Sequence, residues 1–212
     1  MSCSGPAAWR SFSRAKLGQF DEESVLSITV LVLPGFGNSG PLHWQSLWQA
    51  SRPDFVRVDQ RDWDNPVCAE WVSAIEAAVK RAGPEVVLVA HSLACLAVSH
   101  WASTSHSPIR GALMVAVPDA DGPNFPQAAI GFSETPATRL SFRSTVVISA
   151  NDPYGSPTHA EQLANAWGSQ IVHIGRCGHI NASSGLGDWP AGYVLLEQLL
   201  GEHGAQHHRA AP

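Results

Sequence analysis

The sequence predicts a single α/β domain, in which about six mostly parallel strands form a sheet with helices on both faces. Three observations predict this fold. Short apolar runs alternate with helix-length segments, turn residues separate them, and 44% hydrophobic against 15% charged residues supports a sizeable core. A chain of 212 residues is suited to one domain. Strands that alternate with helices pair in parallel through right-handed crossovers.

Six segments are predicted to be strands, because each is a short run of apolar or β-branched residues bounded by turn residues. In chain order they are 28–33, 55–58, 86–90, 111–117, 146–149 and 171–174. Helical spacing, or a proline or glycine at an end, predicts helices over 41–50, 67–82, 93–103, 157–167 and 189–200. In such sheets ligands bind at the carboxyl ends of the strands, so the chemistry is expected directly after each strand.

The two ends of the chain differ from its centre. Residues 1–26 are rich in Ser and Ala without a clear period, which predicts a flexible extension. Residues 202–212 are predicted to be a disordered tail, which leaves 27–201 as the domain. The segment 119–140 has little period and is long for a simple connection, which is typical of a segment that covers a site.

Composition and charge set aside several classes of function. A formal net charge of −5 disfavours a general nucleic-acid binder. No apolar run is long enough to span a membrane, and the first residues lack the apolar core of a secretory signal, so a cytoplasmic protein is expected. The four cysteines form no CxxC pair, which argues against a zinc ribbon or a redox motif. We therefore expect neither a metal nor a cofactor.

The third strand ends in a candidate nucleophile. The sequence Ala90-His91-Ser92-Leu93-Ala94 places one serine between a strand and a helix, as in a nucleophile elbow. Small residues must stand two before and two after this serine, and alanine meets that requirement although GxSxG is the usual pattern. A serine that only caps the following helix is the alternative.

Two further strand ends carry the partners that such a serine needs. Asp152 follows the fifth strand, and His179 follows the sixth within a glycine-bounded loop. The order Ser92, Asp152, His179 is that of the α/β hydrolases, in which the aspartate orients the histidine that serves as the base. Taken singly, Asp152 could begin a turn and His179 could be a surface histidine. Their shared position after successive strands favours a catalytic triad.

The glycine-rich loop after the first strand is expected to complete the site. In this arrangement the loop supplies one donor of an oxyanion hole and the residue after the nucleophile supplies the other. We assign these donors to the backbone N–H groups of Phe36 and Leu93.

The same loop permits a competing interpretation. Gly35, Gly37 and Gly40 satisfy GxGxxG after a strand, and Asp59 follows the next strand, as in a dinucleotide-binding motif. Pro41 opposes it, because a proline directly after the third glycine would interrupt the helix that this motif requires.

Several residues beside these loops are candidates for a substrate pocket. They are Gly35, His43, Trp44, Trp63 and Trp189. The tryptophans could wall an apolar acyl pocket, and simple core packing is an equally good explanation for each of them. His43 and His91 are better explained by hydrogen-bonded structural roles.

Four segments resemble one known family closely. They are VLPGFGNSGPLHWQ at 32–45, VLVAHSLACLA at 87–97, SANDPY at 149–154 and GHINASSGLGDWP at 178–190. They resemble the small α/β-hydrolase serine hydrolases of the family of YdeN and retinoblastoma-binding protein 9, over roughly 28–200. The resemblance implies a compact three-layer α/β-hydrolase fold and the triad Ser92, Asp152 and His179. The family tends to have glycine at the position of Ala94.

The sequence thus predicts a serine hydrolase that cleaves carboxylic esters of small or short-acyl substrates through an acyl-enzyme. Two alternatives stay open. One is an amide or peptide hydrolase of the aminopeptidase type, and the other is a non-catalytic protein-binding module on a hydrolase scaffold. No particular protein partner is indicated.

Overall fold

A computed structural model describes residues 28–201 of the chain. The predictions for residues 1–26 and 202–212 lie outside the described residues. The strands are β1 (Thr29–Leu33), β2 (Phe55–Arg57), β3 (Val86–His91), β4 (Gly111–Val115), β5 (Arg143–Ile148) and β6 (Gln170–His173). The helices are α1 (Trp44–Ser51), α2 (Cys68–Ala82), α3 (Leu93–Thr104), α4 (Pro157–Trp167) and α5 (Pro190–Gly201), with a 3₁₀ turn at Ala182–Ser184.

The six strands form one sheet in the order β2-β1-β3-β4-β5-β6, and every neighbouring pair is parallel. Strand β2 lies on one side of β1, and β3, which follows it in the chain, lies on the other side of β1. The loops after β1 and β3 therefore diverge at the carboxyl edge of the sheet. Such a switch point is where ligands bind in open parallel sheets.

Alternate residues of the central strands enter two separate apolar cores, one on each face of the sheet. Leu31 and Leu88 pack on one face with residues of α2, α3 and α4. Val30 and Val87 pack on the other with residues of α1 and α5. This three-layer arrangement confirms the predicted fold class. In the described part of the chain, no helix has the length and apolar character needed to cross a membrane.

Three boundaries differ from the sequence prediction by two residues or more. Helix α1 begins at Trp44 instead of 41, because the His43 imidazole caps it by accepting a hydrogen bond from the Gln45 N–H at 3.2 Å. Strand β5 begins at Arg143, earlier than predicted, since its first residues are polar but still pair with β4. Strand β4 ends at Val115 because the next residue has a φ of 57°.

The long connection 119–140 is attached to the rest of the fold along its length. The Ile130 N–H donates to the Pro66 carbonyl and its own carbonyl accepts from the Cys68 N–H, both at 2.9 Å. The Phe132 side chain is fully buried in the core. Farther along, the indole N–H of Trp167 donates to the Pro136 carbonyl at 2.7 Å. The connection is therefore a fixed part of the fold.

Candidate active site

Ser92 occupies a sharp turn between β3 and α3. Its backbone has φ 55° and ψ −126°, a conformation that L-residues rarely adopt and that often marks a functional site. Although Ser92 directly precedes α3, its hydroxyl makes no capping hydrogen bond to the helix. Ala90 and Ala94 are almost completely buried, so the small residues expected around the turn lie in tightly packed positions.

Gly35 contacts the backbone of this turn. A Cβ atom at Gly35 would lie 2.8 Å from the Ser92 Cβ and 2.9 Å from the His91 carbonyl oxygen, which is closer than real atoms approach. Gly35 was predicted to line the pocket, but in the structure it lies outside the cavity wall and has a different role. It allows the β1 loop to approach the serine turn, a close contact that only glycine permits.

A continuous hydrogen-bonded chain joins the three residues predicted as a triad. The Ser92 Oγ lies 2.8 Å from the His179 Nε2. The His179 Nδ1 lies 2.8 and 2.9 Å from the two carboxylate oxygens of Asp152. Because an ionised carboxylate can only accept, Nδ1 carries the hydrogen, and Nε2 of the neutral ring accepts from the serine hydroxyl. The side chain of Asp152 is only 4% exposed, so water competes little for this contact.

The loop that carries His179 is attached to the end of β5. The Asn151 Oδ1 accepts hydrogen bonds from the Gly178 N–H at 2.9 Å and the Ser149 hydroxyl at 3.1 Å. The same Ser149 oxygen accepts from the Cys177 N–H at 3.0 Å. These bonds fix the distance between the aspartate loop and the histidine loop, which holds the imidazole near its partners.

Two further histidines lie next to His179. The ring centroids of His91 and His179 are 5.0 Å apart, and those of His43 and His91 are 4.7 Å apart. Burial lowers the pKa of His43 to about 4, with smaller contributions from Arg57 and His179. Burial also lowers the pKa of His91 well below its ordinary value, helped by the two other imidazoles. Both rings are therefore neutral at pH 7.

The two backbone groups predicted as oxyanion donors have no hydrogen-bond acceptor within residues 28–201. Leu93 is the first residue of α3, so its N–H has no partner inside the helix. Phe36 lies in the β1 loop, which is held where the Gly37 N–H donates to the Trp63 carbonyl at 2.9 Å. Both N–H groups remain available to a ligand beside Ser92.

A cavity of about 600 Å³ lies over Ser92 and His179. Its wall contains Phe36, Asn38, Gly40, His43, His91, Leu93, Pro118, residues 124–128, Tyr154 and residues 181–183. Of the predicted pocket residues, His43 belongs to this wall. The segment 119–140 contributes residues 124–128 to it, in agreement with the idea that this connection covers a site.

The three predicted tryptophans do not line the cavity. Trp44 and Trp189 are almost completely buried in the core beside α1 and α5, where large aromatic rings remove the most apolar surface from water. Trp63 packs against the ring of Trp71, with centroids 5.6 Å apart. Trp44 still supports the site from behind, since its indole N–H donates to the Ile180 carbonyl at 2.8 Å.

Sequence reasoning missed Tyr154 as a site residue. Its ring centroid lies 4.5 Å from that of His179, and its backbone N–H donates to Asp152 at 2.9 Å. The only sequence signal for it is its position two residues after the predicted acid. The wall residues 124–128 matched no motif, because a connection of irregular structure has no hydrophobic periodicity from which its position could be predicted.

An all-parallel sheet covered by helices, with a serine elbow and a histidine at its carboxyl edge, defines an α/β hydrolase. The family model described as serine hydrolase matches residues 30–198. The chain belongs to this serine hydrolase family. No curated protein matches the chain.

Solved structures agree with this assignment. A YdeN-like hydrolase from Pectobacterium atrosepticum is 33% identical, covering 81% of this chain and 90% of that one, with a TM-score of 0.73. The ydeN product of B. subtilis is 18% identical over 82% of this chain and 100% of that one, with a TM-score of 0.67. The esterase RhEst1 from Rhodococcus sp. shares the fold, with 14% identity, coverage of 82% and 90%, and a TM-score of 0.58. The resemblance to YdeN is thereby confirmed.

Proposed function

We propose that this chain is a serine hydrolase that cleaves carboxylic esters of small or short-acyl substrates, with Ser92, His179 and Asp152 as its catalytic triad. The observation that carries the proposal is the unbroken hydrogen-bonded chain from the Ser92 hydroxyl through the imidazole to the Asp152 carboxylate. The strained serine backbone adds support, since an elbow of this kind exposes the hydroxyl instead of using it as a cap.

The reaction would proceed in two steps. His179 Nε2 accepts the hydroxyl proton while Ser92 Oγ forms a bond to the ester carbonyl carbon. The bond from that carbon to the alcohol oxygen then breaks, and His179 returns the proton to the departing alcohol. Water next attacks the acyl-enzyme, with the proton passing through His179 to Ser92, which releases the carboxylic acid. Asp152 would stabilise the imidazolium at both stages.

The negative charge on the carbonyl oxygen would be stabilised by the backbone N–H groups of Phe36 and Leu93. Neither group has another acceptor in the described part of the chain, so no hydrogen bond within the protein is given up when the oxyanion forms. The N-terminus of α3 points at the same place and favours negative charge there. Loss of one such donor lowers the rate by about 10²–10³ in well-studied hydrolases.

Three considerations support small esters as the substrates. A cavity of about 600 Å³ suits a small molecule, and the enclosing segment 124–128 belongs to a fixed part of the fold. An alkoxide also departs more readily than an amine anion, so the unmodified triad suffices for an ester. One neighbour in fold is described as an esterase.

The test is labelling with a fluorophosphonate probe, which reacts with activated serines. We expect the parent protein to be labelled and the Ser92→Ala and His179→Ala variants to stay unlabelled. Ser73→Ala is the matched control, since that serine is exposed on α2 and should leave labelling unchanged. A folded parent that is not labelled would contradict the proposal. Parallel assays with p-nitrophenyl acetate and acetyl p-nitroanilide would separate ester from amide cleavage.

A further inference from the structure

We infer that the substrate is an uncharged ester that carries an additional hydrogen-bonding group, such as a carboxamide, at a distance from the ester bond. The inference rests on the proposed ester hydrolase function and specifies the substrate class of the same site. It follows from which polar groups line the cavity and how they are held.

The cavity wall has no fixed charge. Within the described part of the chain, no aspartate, glutamate, lysine or arginine belongs to it. Its polar side chains, apart from histidines and Ser92, are carboxamides or hydroxyls: Asn38, Asn124, Gln127, Tyr154, Asn181 and Ser183. An ionised group that enters such a wall loses hydration without gaining an opposite charge, which is unfavourable. A neutral polar group can replace its water contacts with carboxamide contacts.

Three of the carboxamides are oriented by bonds at one end only. The Asn181 Oδ1 accepts from a backbone N–H in its own turn at 3.0 Å, and the Asn38 Oδ1 accepts from the following backbone N–H at 2.7 Å. The Asn124 Nδ2 donates to the Pro153 carbonyl at 2.7 Å. Their other ends, two Nδ2 groups and one Oδ1, have no partner within residues 28–201. Orientation in advance reduces the entropy lost on binding.

Gln127 adds an unengaged carboxamide to the same wall. Its side chain is exposed and makes no hydrogen bond to any described residue, so it offers both a donor and an acceptor. Phe125 and Pro126 beside it are apolar. A short aliphatic chain with a neutral polar end could pack against Phe125 and Pro126 and form hydrogen bonds with Gln127.

Of the remaining ionisable groups near the wall, two are uncharged at neutral pH and one is a cation bonded to a wall residue. His43 and His91 are neutral there, because burial lowers the pKa of each. The cation bonded to a wall residue is Arg57, whose guanidinium donates to Asn38 and, at 2.8 Å, to the Ser46 hydroxyl. Its hydrogen bonds within residues 28–201 all go to neutral oxygens, so few of its N–H groups are left for a ligand, while its positive charge remains beside Asn38.

The same wall argues against an aminopeptidase substrate. Such a substrate presents a free ammonium group next to the scissile bond, and its recognition calls for a carboxylate. The carboxylate joined to Ser92 through His179 is that of Asp152, and both of its oxygens are engaged by His179.

The test compares methyl esters of straight-chain six-carbon acids that end in a carboxamide, a carboxylate, an ammonium or a methyl group. Free acid is measured by chromatography after incubation with the parent protein at pH 7.5. We expect kcat/KM for the carboxamide to exceed that for the isosteric carboxylate and for the ammonium by about tenfold or more. The methyl-ended ester should lie between.

Charge substitutions at Gln127 make the test specific to this wall. Gln127→Glu should raise kcat/KM for the ammonium ester relative to the carboxylate ester by about fivefold or more, and Gln127→Lys should do the reverse. Gln162→Glu and Gln162→Lys are the matched controls, because Gln162 is exposed on α4 and outside the cavity wall. They should leave the ratio within about twofold of the parent.

The outcomes separate this inference from the function on which it rests. A parent protein that the fluorophosphonate does not label overturns both. A labelled parent that hydrolyses the carboxylate or ammonium ester as fast as the carboxamide overturns the substrate class alone. Gln127 variants that behave like the Gln162 variants overturn the role of this wall.

Discussion

The Nε2 atom of His91 lies 2.9 Å from the backbone carbonyl oxygen of His179. A carbonyl oxygen only accepts, so Nε2 of His91 carries a hydrogen and donates it. His91 is the last residue of β3 and directly precedes Ser92. The bond therefore ties the serine turn to the backbone of the histidine that faces it, across two loops far apart in sequence.

His91 is accordingly predicted to be a positioning residue. His91→Phe should lower kcat by about tenfold or more with a much smaller change in KM, because the histidine loop loses its fixed distance from Ser92. His91→Gln keeps a donor and should recover part of the loss. Steady-state kinetics on p-nitrophenyl acetate measure both values. Equal kcat in the two variants would show that the hydrogen bond is not what matters.

The close approach at Gly35 gives a second prediction. Gly35→Ala should lower kcat/KM by about 10²-fold or more, because the new methyl group would displace either the β1 loop or the serine turn. Gly201→Ala is the control, since a Cβ there meets no atom within 4 Å and the residue ends α5. Circular dichroism should show both variants folded. Parent-like activity in Gly35→Ala would mean that the loop moves without consequence for the oxyanion donors.

Tyr154 supplies a third prediction, which concerns the imidazole face. Tyr154→Ala should lower kcat by about tenfold, because removal of the ring exposes the pair of His179 and Asp152 to water and weakens their contact. Tyr154→Phe should retain most of the activity, since the phenol oxygen has no hydrogen-bond partner among the described residues. A loss in Tyr154→Phe as large as in Tyr154→Ala would assign the effect to the hydroxyl instead.

The lowered pKa of His43 predicts how stability depends on pH. Its ordinary pKa is 6.5, and burial lowers the folded value to about 4. Between these values the unfolded chain binds a proton that the folded chain does not, so the free energy of unfolding falls as the pH drops from 6.5 toward 4. A shift of this size contributes about 3 kcal/mol over the whole range.

This dependence can be measured by urea unfolding at pH 4.5, 5.5, 6.5 and 7.5. His43→Asn keeps a capping side chain for α1 but cannot titrate, so its stability should fall less steeply with decreasing pH. His106→Asn removes an exposed histidine from the loop after α3 and should keep the slope of the parent. Identical slopes in all three proteins would rule out His43 as the source.

Strand positions were predicted correctly where the local pattern of apolar and turn residues matches the burial of the strand in the fold. The strand ends near Ser92, Asp152 and His179 were correctly placed, because apolar runs of buried parallel strands stop abruptly at turn residues. The start of β5 was missed, since Arg143 is polar and enters the sheet only through pairing with β4. A run of polar residues carries no sign of such pairing.

The cavity was harder to anticipate than the three residues of the proposed triad. Trp44 and Trp189 are adjacent to motif residues in the sequence, yet they face the core, and neighbours in sequence need not share a surface. The wall at 124–128 is brought to Ser92 by the fixing of Phe132 and Ile130 elsewhere in the same connection. Such long-range placement leaves no trace in a single sequence.

The attachment of the connection 119–140 to the core has a consequence for how substrate reaches the site. Phe132 cannot leave the core without opening a void beneath it, so the whole connection cannot swing aside as one hinged flap would. We therefore expect substrate to enter and leave through the open side of the cavity, without a gating step between binding and chemistry. Temperature should change the rate smoothly up to the melting transition, and loss of activity and loss of the fold should coincide.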